Sequence, residues 1–290
     1  MKGAGDGTAR VTRFAPSPTG PLHIGHAFSA LVAWERAQAG CFLLRIEDID
    51  RTRCRPEFET AIFKDLRWLG LAWPEPVMRQ SERTGAYAAA LDQLAGLGVL
   101  YPCGCRRADI RAALSAPQEG AAVIGPDGLV YPGTCRGRSM ESVGPQDALR
   151  LDMGRALALA GMAEFMETGA DFTGVHRLDP DWMQAQVGDV VLARRNLGTS
   201  YHLSVVVDDA AQGITEVVRG ADLFAATFIH VLLQRLLDLP GPRYHHHRLI
   251  RDDTGKRLAK RDDARAIALY RAEGASPADI RALVTLPSGS

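Results

Sequence analysis

Two histidines, His23 and His26, stand three residues apart with Gly25 between them, and this spacing could serve phosphate chemistry. A helix that starts near Leu22 would place both imidazoles on one face of its first turn, beside backbone N–H groups without partners in the helix. Such N–H groups and the helix dipole attract anions, so the pair is suited to holding a phosphate. Ordinary packing would also explain a bare H-x-G-H pattern, and by itself the pattern leaves both interpretations open.

A second unusual stretch is the basic segment at residues 252–261, DDTGKRLAKR, more than 230 residues further along the chain. Gly255 is followed by four cationic residues within six positions, which predicts a flexible, positively charged loop. The alternative is a solvated charge run, which is the usual fate of such segments.

Three of the five cysteines form a group that could hold a metal ion. Cys103 and Cys105 flank a single glycine, and Cys135 follows Tyr131 by four positions. Three thiolates on two loops suit a structural zinc ion, which prefers four ligands in a tetrahedron. No histidine lies between residues 48 and 175, so the usual fourth ligand is missing nearby. Three idle or buried thiols explain the cysteines equally well.

The elements that must position these side chains alternate between strand and helix. A short strand ends at Arg13 to Ala15, a rigid proline-glycine turn follows at residues 16–21, and helical spacing of apolar residues predicts a helix over 22–40. A buried strand at 41–46 then leads into Glu47. Alternation of this kind predicts a parallel sheet, in which ligands bind at the carboxyl ends of the strands. Glu47 is therefore a candidate site residue, although an acidic turn could also simply be solvated.

Apolar runs and capping residues predict further strands and helices. Trp68 and Trp73, in and after the helix predicted at 56–69, are predicted core residues. The continuous apolar run Leu203–Val207 predicts a strand covered on both faces. His245, His246 and His247 would alternate across a strand, which makes a poor metal site and favours structural or nucleotide-edge roles. The other predicted strands cover 148–153, 188–193 and 214–219, and the other predicted helices cover 56–69, 82–98, 222–237 (capped by Asp222), 262–273 and 277–283.

The composition is that of a globular chain without a strong global charge. The 290 residues carry 34 basic and 34 acidic side chains, so any RNA contact must come from local patches. No apolar run predicts a membrane span or a signal peptide, and the odd number of cysteines favours a reducing, cytoplasmic setting. The chain is expected to be a monomer. The arginines expected to face RNA surround the cysteine group: Arg106, Arg107, Arg136 and Arg138.

Several stretches together resemble the glutamyl branch of the class I aminoacyl-tRNA synthetases. They are RFAPSPTGPLHIGH, LRIEDIDRTR, SYHLSVVVDD, GITEVVRGADL and the basic segment RLAKR, which is similar to the K-M-S-K-S loop but has Ala259 where that family often has serine. The resemblance implies glutamate activation with ATP and Mg²⁺. It assigns ATP binding to His23, Gly25, His26 and Lys260, with His23, His26 and Lys260 as catalytic residues, and glutamate binding to Arg13, Ala15, Ser17, Glu47, Tyr201 and Arg219.

The cysteine group indicates a particular family within this glutamyl branch. The pattern C-x-C…Y-x-x-x-C is similar to the zinc site of glutamyl-queuosine tRNA(Asp) synthetases, which implies Zn²⁺ on Cys103, Cys105, Tyr131 and Cys135. The 25 residues between Cys105 and Tyr131 exceed the length expected for that family. Only 29 residues follow Arg261, too few for an anticodon-binding domain. The implied activity is transfer of glutamate to the queuosine base of tRNA(Asp).

This resemblance implies an α/β fold: a Rossmann-like nucleotide-binding domain with an inserted, zinc-bearing subdomain of the acceptor-binding type. The expected divisions are a tail at 1–10, catalytic halves at 11–100 and 191–261, the insertion at 101–190 and short terminal helices at 262–290. Three alternatives remain open: an ordinary glutamyl-tRNA synthetase without its anticodon domain, an H-x-G-H nucleotidyltransferase, and a non-catalytic synthetase-like protein that binds RNA. Glutamate-dependent ATP–pyrophosphate exchange would separate the last from the enzymes.

Overall fold

The structure is a computed structural model that describes residues 9–37, 40–115, 123–194, 198–250 and 265–285. The strands are β1 Val11–Phe14, β2 Cys41–Ile46, β3 Met78–Arg79, β4 Leu100–Cys103, β5 Ile124–Gly125, β6 Gly128–Leu129, β7 Ala148–Leu151, β8 Glu164–Glu167, β9 Gly174–Arg177, β10 Val191–Ala193, β11 Glu216–Gly220 and β12 Arg243–His247. The α-helices are α1 Ile24–Ala37, α2 Pro56–Trp68, α3 Thr84–Gly96, α4 Arg107–Ser115, α5 Met153–Ala160, α6 Pro180–Trp182, α7 Tyr201–Ala211, α8 Ala226–Leu236, α9 Ile267–Ala272 and α10 Pro277–Thr285. A π-helical turn occupies Met183–Val187, and 3₁₀ turns occupy Gln80–Glu82, Met140–Ser142 and Ala221–Leu223.

The parallel strands predicted around the two histidines are present. β1 pairs in parallel with β2, β2 with β3, and β11 with β12. β1 and β11 lie side by side: the Val11 carbonyl accepts a hydrogen bond from Thr215 N at 3.0 Å, and Arg13 reaches the Val218 carbonyl at 3.2 Å. Of these two contacts, the one made by the later residue of β1 is also made to the later residue near β11, so the two strands run in the same direction. The carboxyl ends of β1, β2, β11 and β12 therefore meet at one edge, where open α/β sheets bind ligands.

The central part of the chain forms a separate antiparallel sheet and also extends the parallel one. β7 lies between β4 and β10 in the antiparallel sheet. β8 pairs in parallel with β12 and in antiparallel fashion with β9, so residues inside the predicted 101–190 insertion are hydrogen-bonded to the sheet of the second catalytic half.

A short hairpin, β5–β6, packs against the π-helical turn. A Cβ atom on Gly125 would lie 2.1 Å from the Gln186 carbonyl oxygen, so only glycine allows this close approach. The packing holds the hairpin turn, which contains Asp127, near the edge where the parallel strands end. Residues 123–130, which end the long segment between Cys105 and Tyr131, thus lie near this edge.

The apolar run Leu203–Val207 is not a strand, as its sequence predicted, but part of α7. Ser200 is the N-cap of this helix, and its side chain accepts a hydrogen bond from Leu203 N. Leu203, Val205 and Val206 are buried in the larger core, together with Asp208 and Asp209. A helix buried on all sides has the same unbroken apolar run as a strand covered on both faces, so periodicity could not separate the two.

Three other boundaries differ from the predictions. His23 directly precedes α1 and does not lie within its first turn. Asp222 lies in a 3₁₀ turn, and α8 starts at Ala226 without a side-chain cap, so the capping role predicted for Asp222 is wrong. The strand predicted over 188–193 is limited to β10, because the π-helical turn ends at Gly188, whose φ is 66°. The predicted helices at 56–69, 82–98 and 277–283 are confirmed with small shifts of their ends. Trp68 and Trp73 pack half-buried against the smaller core.

The two C-terminal helices dock onto α1 and α2. Ile267, Ile280 and Val284 are buried in the smaller core, and Arg271 forms an ion pair of 2.7 Å with Asp65 in α2. Ile267 N also donates to the Leu22 carbonyl at 2.9 Å, immediately before His23. Residues 262–264 of the helix predicted at 262–273 lie outside the described ranges, and α9 forms its later part. Within the described ranges, no helix has the length and apolar character needed to cross a membrane.

Candidate active site

The predicted phosphate and glutamate residues converge on one cavity of about 370 Å³ at the carboxyl edge of the parallel strands. Those that line it are Arg13, Ala15, His23, Gly25, His26, Glu47, Tyr201 and Arg219. Ser17 lines a neighbouring cavity of about 360 Å³, which also touches Glu47 and Tyr201. Lys260 lies outside the described residues. We call the two cavities the central cavity and the adjacent cavity.

The two histidine rings lie against each other at the start of α1, with an angle of 34° between their planes. Their ring centroids are 3.8 Å apart. Gly25 N donates to His23 Nδ1 at 3.1 Å, and His23 N donates to His26 Nδ1 at 3.2 Å. Because both Nδ1 atoms accept hydrogen bonds, each neutral ring carries its proton on Nε2. The backbone N–H of Gly25 thus already has a partner within this turn.

A buried charge cluster supports the floor of the central cavity. Arg13 donates to both oxygens of Asp209, from Nε at 3.0 Å and from Nη2 at 3.3 Å. Arg45 Nη1 donates to the same carboxylate at 2.7 Å, and Arg45 Nη2 lies 3.4 Å from Glu47. Burial alone would raise the pKa of Asp209, but Arg13 and Arg45 outweigh burial and hold it below its usual value. Burial raises the pKa of Glu47, and the two arginines only partly oppose this. Asp209, which follows the apolar run Leu203–Val207 in the sequence, is not among the site residues predicted above.

Arg219, at the end of β11, is held by uncharged groups. Its Nε donates to His246 Nε2 at 3.1 Å, its Nη1 to His230 Nδ1 at 3.0 Å, and its Nη2 to Thr227 Oγ1 at 2.7 Å. Sequence reasoning missed Thr227 and His230 and gave His246 only a general structural role. Within the described residues, no carboxylate forms an ion pair with Arg219. Tyr201 lies close by, and burial raises the pKa of its hydroxyl, with the Arg219 cation opposing the shift.

The predicted metal ligands come together in the insertion. The sulfur atoms of Cys103, Cys105 and Cys135 all lie within 4.8 Å of one another. The Tyr131 hydroxyl lies 3.4 Å from the sulfur atoms of both Cys103 and Cys105 and accepts a hydrogen bond from Cys135 N at 2.8 Å. Three thiols and one phenol oxygen in mutual contact fit the four-ligand shell of zinc.

The arginines near this cluster divide into two groups. Arg136 pairs with Asp189 at 2.8 Å and Arg138 with Asp147 at 2.9 Å, so ion pairs within the insertion hold two of the four arginines predicted to face RNA. Arg106 and Arg107, the other two arginines predicted to face RNA, are exposed. A third cavity of about 440 Å³, the arginine cavity, is lined by Arg107 and by three arginines that the sequence did not single out: Arg111, Arg150 and Arg194. Arg194 and Asp127 line both this cavity and the adjacent cavity.

Comparisons with known proteins agree with this architecture. The family model for the catalytic domain of class I tRNA synthetases (E and Q) matches residues 10–124 and 177–287. A glutamyl-Q tRNA(Asp) synthetase from Rhodobacter capsulatus is 61% identical over 281 residues, which cover 95% of this chain and 100% of that protein. One from Albidiferax ferrireducens is 43% identical over 268 residues, which cover 89% of this chain and 86% of that protein.

A crystal structure is also similar. The glutamate tRNA ligase from Elizabethkingia meningosepticum, solved in complex with its amino acid, superposes with a TM-score of 0.76 at 27% identity over 96% of this chain. The match spans 61% of that longer ligase. The chain belongs to the class I tRNA synthetases and, within them, to the glutamyl-Q tRNA(Asp) synthetase family.

Proposed function

We propose that this chain activates L-glutamate with ATP and transfers the glutamyl group to the queuosine base in the anticodon of tRNA(Asp). The observation that carries the proposal is the central cavity, where a pair of imidazoles and a buried arginine, which forms no ion pair with a carboxylate among the described residues, lie in one space. The names of the relatives support the same substrate pair.

In the activation step, an oxygen of the substrate α-carboxylate attacks the α-phosphorus of ATP, and the bond from that phosphorus to the bridging oxygen of pyrophosphate breaks. No protein nucleophile is required, so the residues act by positioning and by electrostatic stabilisation. The His23 and His26 Nε2–H groups would donate to the phosphates, and Lys260 would stabilise the departing pyrophosphate. Magnesium would be held mainly by the phosphates of ATP.

The amino acid is expected to be held at both ends. Arg219 would bind the side-chain carboxylate, because a guanidinium presents a fork of donors that matches a carboxylate. Glu47 lines both the central and the adjacent cavity and would face the substrate ammonium group. A bound ammonium group would favour the ionised form of Glu47, against the burial that raises its pKa. Ala15, Ser17 and Tyr201 would complete the walls.

The adjacent cavity is the proposed entrance for the acceptor base. It shares Glu47 and Tyr201 with the central cavity, so a group placed there would lie next to the activated carboxyl. Next to it, the arginine cavity offers Arg107, Arg111 and Arg194 as phosphate-binding groups for the RNA backbone. Zinc on Cys103, Cys105, Tyr131 and Cys135 would tie together the segment that carries these arginines and supply no chemistry to the reaction.

Transfer of radiolabelled glutamate tests the proposal. Purified chain, ATP and Mg²⁺ are incubated with tRNA(Asp) that contains queuosine, with tRNA(Asp) that lacks it, and with tRNA(Glu). Label on queuosine-containing tRNA(Asp) alone is the expected result. Label on tRNA(Glu) would instead assign the chain to ordinary glutamyl-tRNA synthetases. Glutamate-dependent ATP–pyrophosphate exchange without any label on RNA would support activation and contradict the acceptor. Absence of both reactions would contradict the whole proposal.

A further inference from the structure

A chain of buried hydrogen bonds passes through Arg219 and connects it to groups outside the central cavity. On one side, His246 Nδ1 lies 2.5 Å from Glu167 Oε2. On the other side, His230 Nε2 lies 3.0 Å from His202 Nδ1, and His202 Nε2 lies 3.4 Å from Asp127 Oδ1. Glu167, His246 and His230 are almost completely buried, with 0%, 1% and 2% of their surfaces exposed.

The contacts with Arg219 determine which nitrogen of each histidine in this hydrogen-bond series carries the proton. A guanidinium has only donors, so the histidine nitrogens that face it, His246 Nε2 and His230 Nδ1, must be unprotonated acceptors. The proton of His246 is therefore on Nδ1 and is donated to Glu167. The proton of His230 is on Nε2 and is donated to His202 Nδ1, which leaves the proton of His202 on Nε2, toward Asp127. Each histidine thus has a single tautomer that satisfies all its partners.

The series of hydrogen bonds ends in two carboxylates, Glu167 and Asp127, and neither contacts Arg219. Glu167 is fixed by backbone N–H groups as well, from Gly169 at 2.6 Å and from Thr168 and His246 at 3.0 Å each. A Cβ on Gly169 would lie 2.2 Å from the His246 carbonyl oxygen, so glycine is needed for this turn to reach β12. One neutral imidazole separates Glu167 from the guanidinium, and burial together with Arg219 lowers the pKa of both His230 and His246.

Arg13 provides the contrast within the same cavity. Its guanidinium makes a two-point ion pair with Asp209, so a carboxylate from the protein already offsets its charge. In the described part of the chain, the acceptors that contact Arg219 through His246, His230 and Thr227 are all uncharged. Within the described residues, a ligand in the central cavity therefore meets one arginine that contacts a carboxylate directly and one that contacts uncharged acceptors.

We infer that Glu167, His246, His230 and His202 are positioning residues, which hold Arg219 in place through neutral acceptors so that its charge remains available to the substrate side-chain carboxylate. The inference rests on the proposed binding of glutamate by Arg219 and adds the groups that make this arginine selective. A carboxylate in direct contact with Arg219 would reduce the preference for glutamate over glutamine. Neutral imidazoles preserve that preference while they fix the direction of the guanidinium.

Four variants test the inference through the two nitrogens of each ring. A glutamine at either position can place its amide group where the histidine Nε2 lies. An asparagine, which is one methylene shorter, can place its amide group only where the histidine Nδ1 lies. At position 246 the nitrogen facing Arg219 is Nε2, so His246→Gln keeps the acceptor and His246→Asn loses it. At position 230 the facing nitrogen is Nδ1, so His230→Asn keeps the acceptor and His230→Gln loses it. A purely space-filling role would not reverse the ranking of the two amides between the two positions.

The measurement is the KM for L-glutamate in ATP–pyrophosphate exchange, with the KM for ATP and the melting temperature of each variant recorded beside it. We expect the KM for glutamate of His246→Asn to be about tenfold higher than that of His246→Gln. We likewise expect the KM for glutamate of His230→Gln to be about tenfold higher than that of His230→Asn. In each pair the factor is that expected for the loss of one hydrogen bond to a charged group. The KM for ATP should differ little within each pair. Equal glutamate KM values within the pairs, or the same amide performing better at both positions, would overturn the inference. A wild-type chain without glutamate-dependent exchange would instead overturn the proposed function.

Discussion

Arg13 and Asp209 form a buried two-point ion pair, with Nε 3.0 Å from Oδ1 and Nη2 3.3 Å from Oδ2, although 196 positions separate them in the chain. Arg45 donates to the same carboxylate at 2.7 Å. This relationship joins the first half of the parallel sheet to α7. It also distinguishes Arg13, which contacts a carboxylate directly, from Arg219, whose side-chain partners among the described residues are uncharged.

Removing the charge of Asp209 should strongly destabilise the fold. Asp209→Asn leaves Arg13 and Arg45 buried without their anion, and the expected loss is about 3–5 kcal/mol in the free energy of unfolding. Urea denaturation monitored by circular dichroism measures it. The control is Asp92→Asn, the same chemical change at an exposed position of α3, which should cost less than about 0.5 kcal/mol. Equal losses in the two variants would contradict the structural role of the ion pair.

Stability should fall as the pH drops below about 6.5. Burial lowers the pKa values of His230, His246 and His247 below 6.5 and that of His245 to about 4. The unfolded chain therefore binds protons in this range that the folded chain does not, and unfolding becomes easier. For a fully buried group such as His230 the slope is up to about 1.4 kcal/mol per pH unit. Urea midpoints measured from pH 7.5 to 4.5 should decrease steadily, and a flat profile would contradict the burial of these rings.

The carboxyl group of Glu167 should extend this acid sensitivity to lower pH. Burial would raise its pKa, but hydrogen bonds from His246 and the backbone outweigh burial and lower it to about 2 from the usual 4.5. The stabilisation from ionised Glu167 is complete above about pH 4.5 and is lost as the pH falls toward 2. In Glu167→Gln, which has no titrating group there, thermal unfolding should depend less on pH between 4.5 and 3 than in the unchanged chain. Parallel pH profiles for the two proteins would refute the ionised state of Glu167.

The cysteine group should bind one zinc ion per chain. Metal analysis of protein purified without chelators is expected to find zinc in the unchanged chain and little in Cys105→Ser, because serine oxygen replaces a thiolate ligand. Cys54→Ser is the matched control, since Cys54 lies outside the cluster and should not affect the zinc content. Tyr131→Phe tests the fourth ligand and should weaken zinc retention during dialysis against a chelator. Full retention in Cys105→Ser would exclude this site.

Lys260 should contribute to the activation step by stabilising the leaving pyrophosphate. Lys260→Ala is expected to raise the activation barrier by about 2–4 kcal/mol, the cost of losing an electrostatic donor to the transition state. Exchange at saturating ATP and glutamate gives the turnover number. Lys64→Ala, at an exposed position of α2, is the control and should keep normal turnover. Normal turnover in Lys260→Ala as well would exclude the proposed role.

Several features could be predicted from local sequence because residues close in the chain build them. They are the turn at 16–21, the helix after His23, the strand that leads to Glu47 and the Tyr131–Cys135 spacing, and each of them is present in the structure. Other features could not be predicted in this way. The unbroken apolar run of α7 predicts a strand, which is wrong, because burial on all sides removes the helical period. The residue type of Asp222 predicts a helix cap, which is also wrong, because this residue lies in a 3₁₀ turn before α8.

By itself, the sequence determined which residues are candidates for the site: residue type and spacing indicate the histidine pair, Glu47 and the cysteines, and the resemblance to the synthetases adds Arg219. Only the tertiary structure decided how charge is distributed among them. Asp209 approaches Arg13, whereas Glu167 is kept one imidazole away from Arg219. These contacts join residues that are distant in the chain, through buried hydrogen bonds whose geometry depends on the packing of β11, β12, α7 and α8. Local patterns carry no information about such pairings, because the partners meet only after the strands and helices have packed.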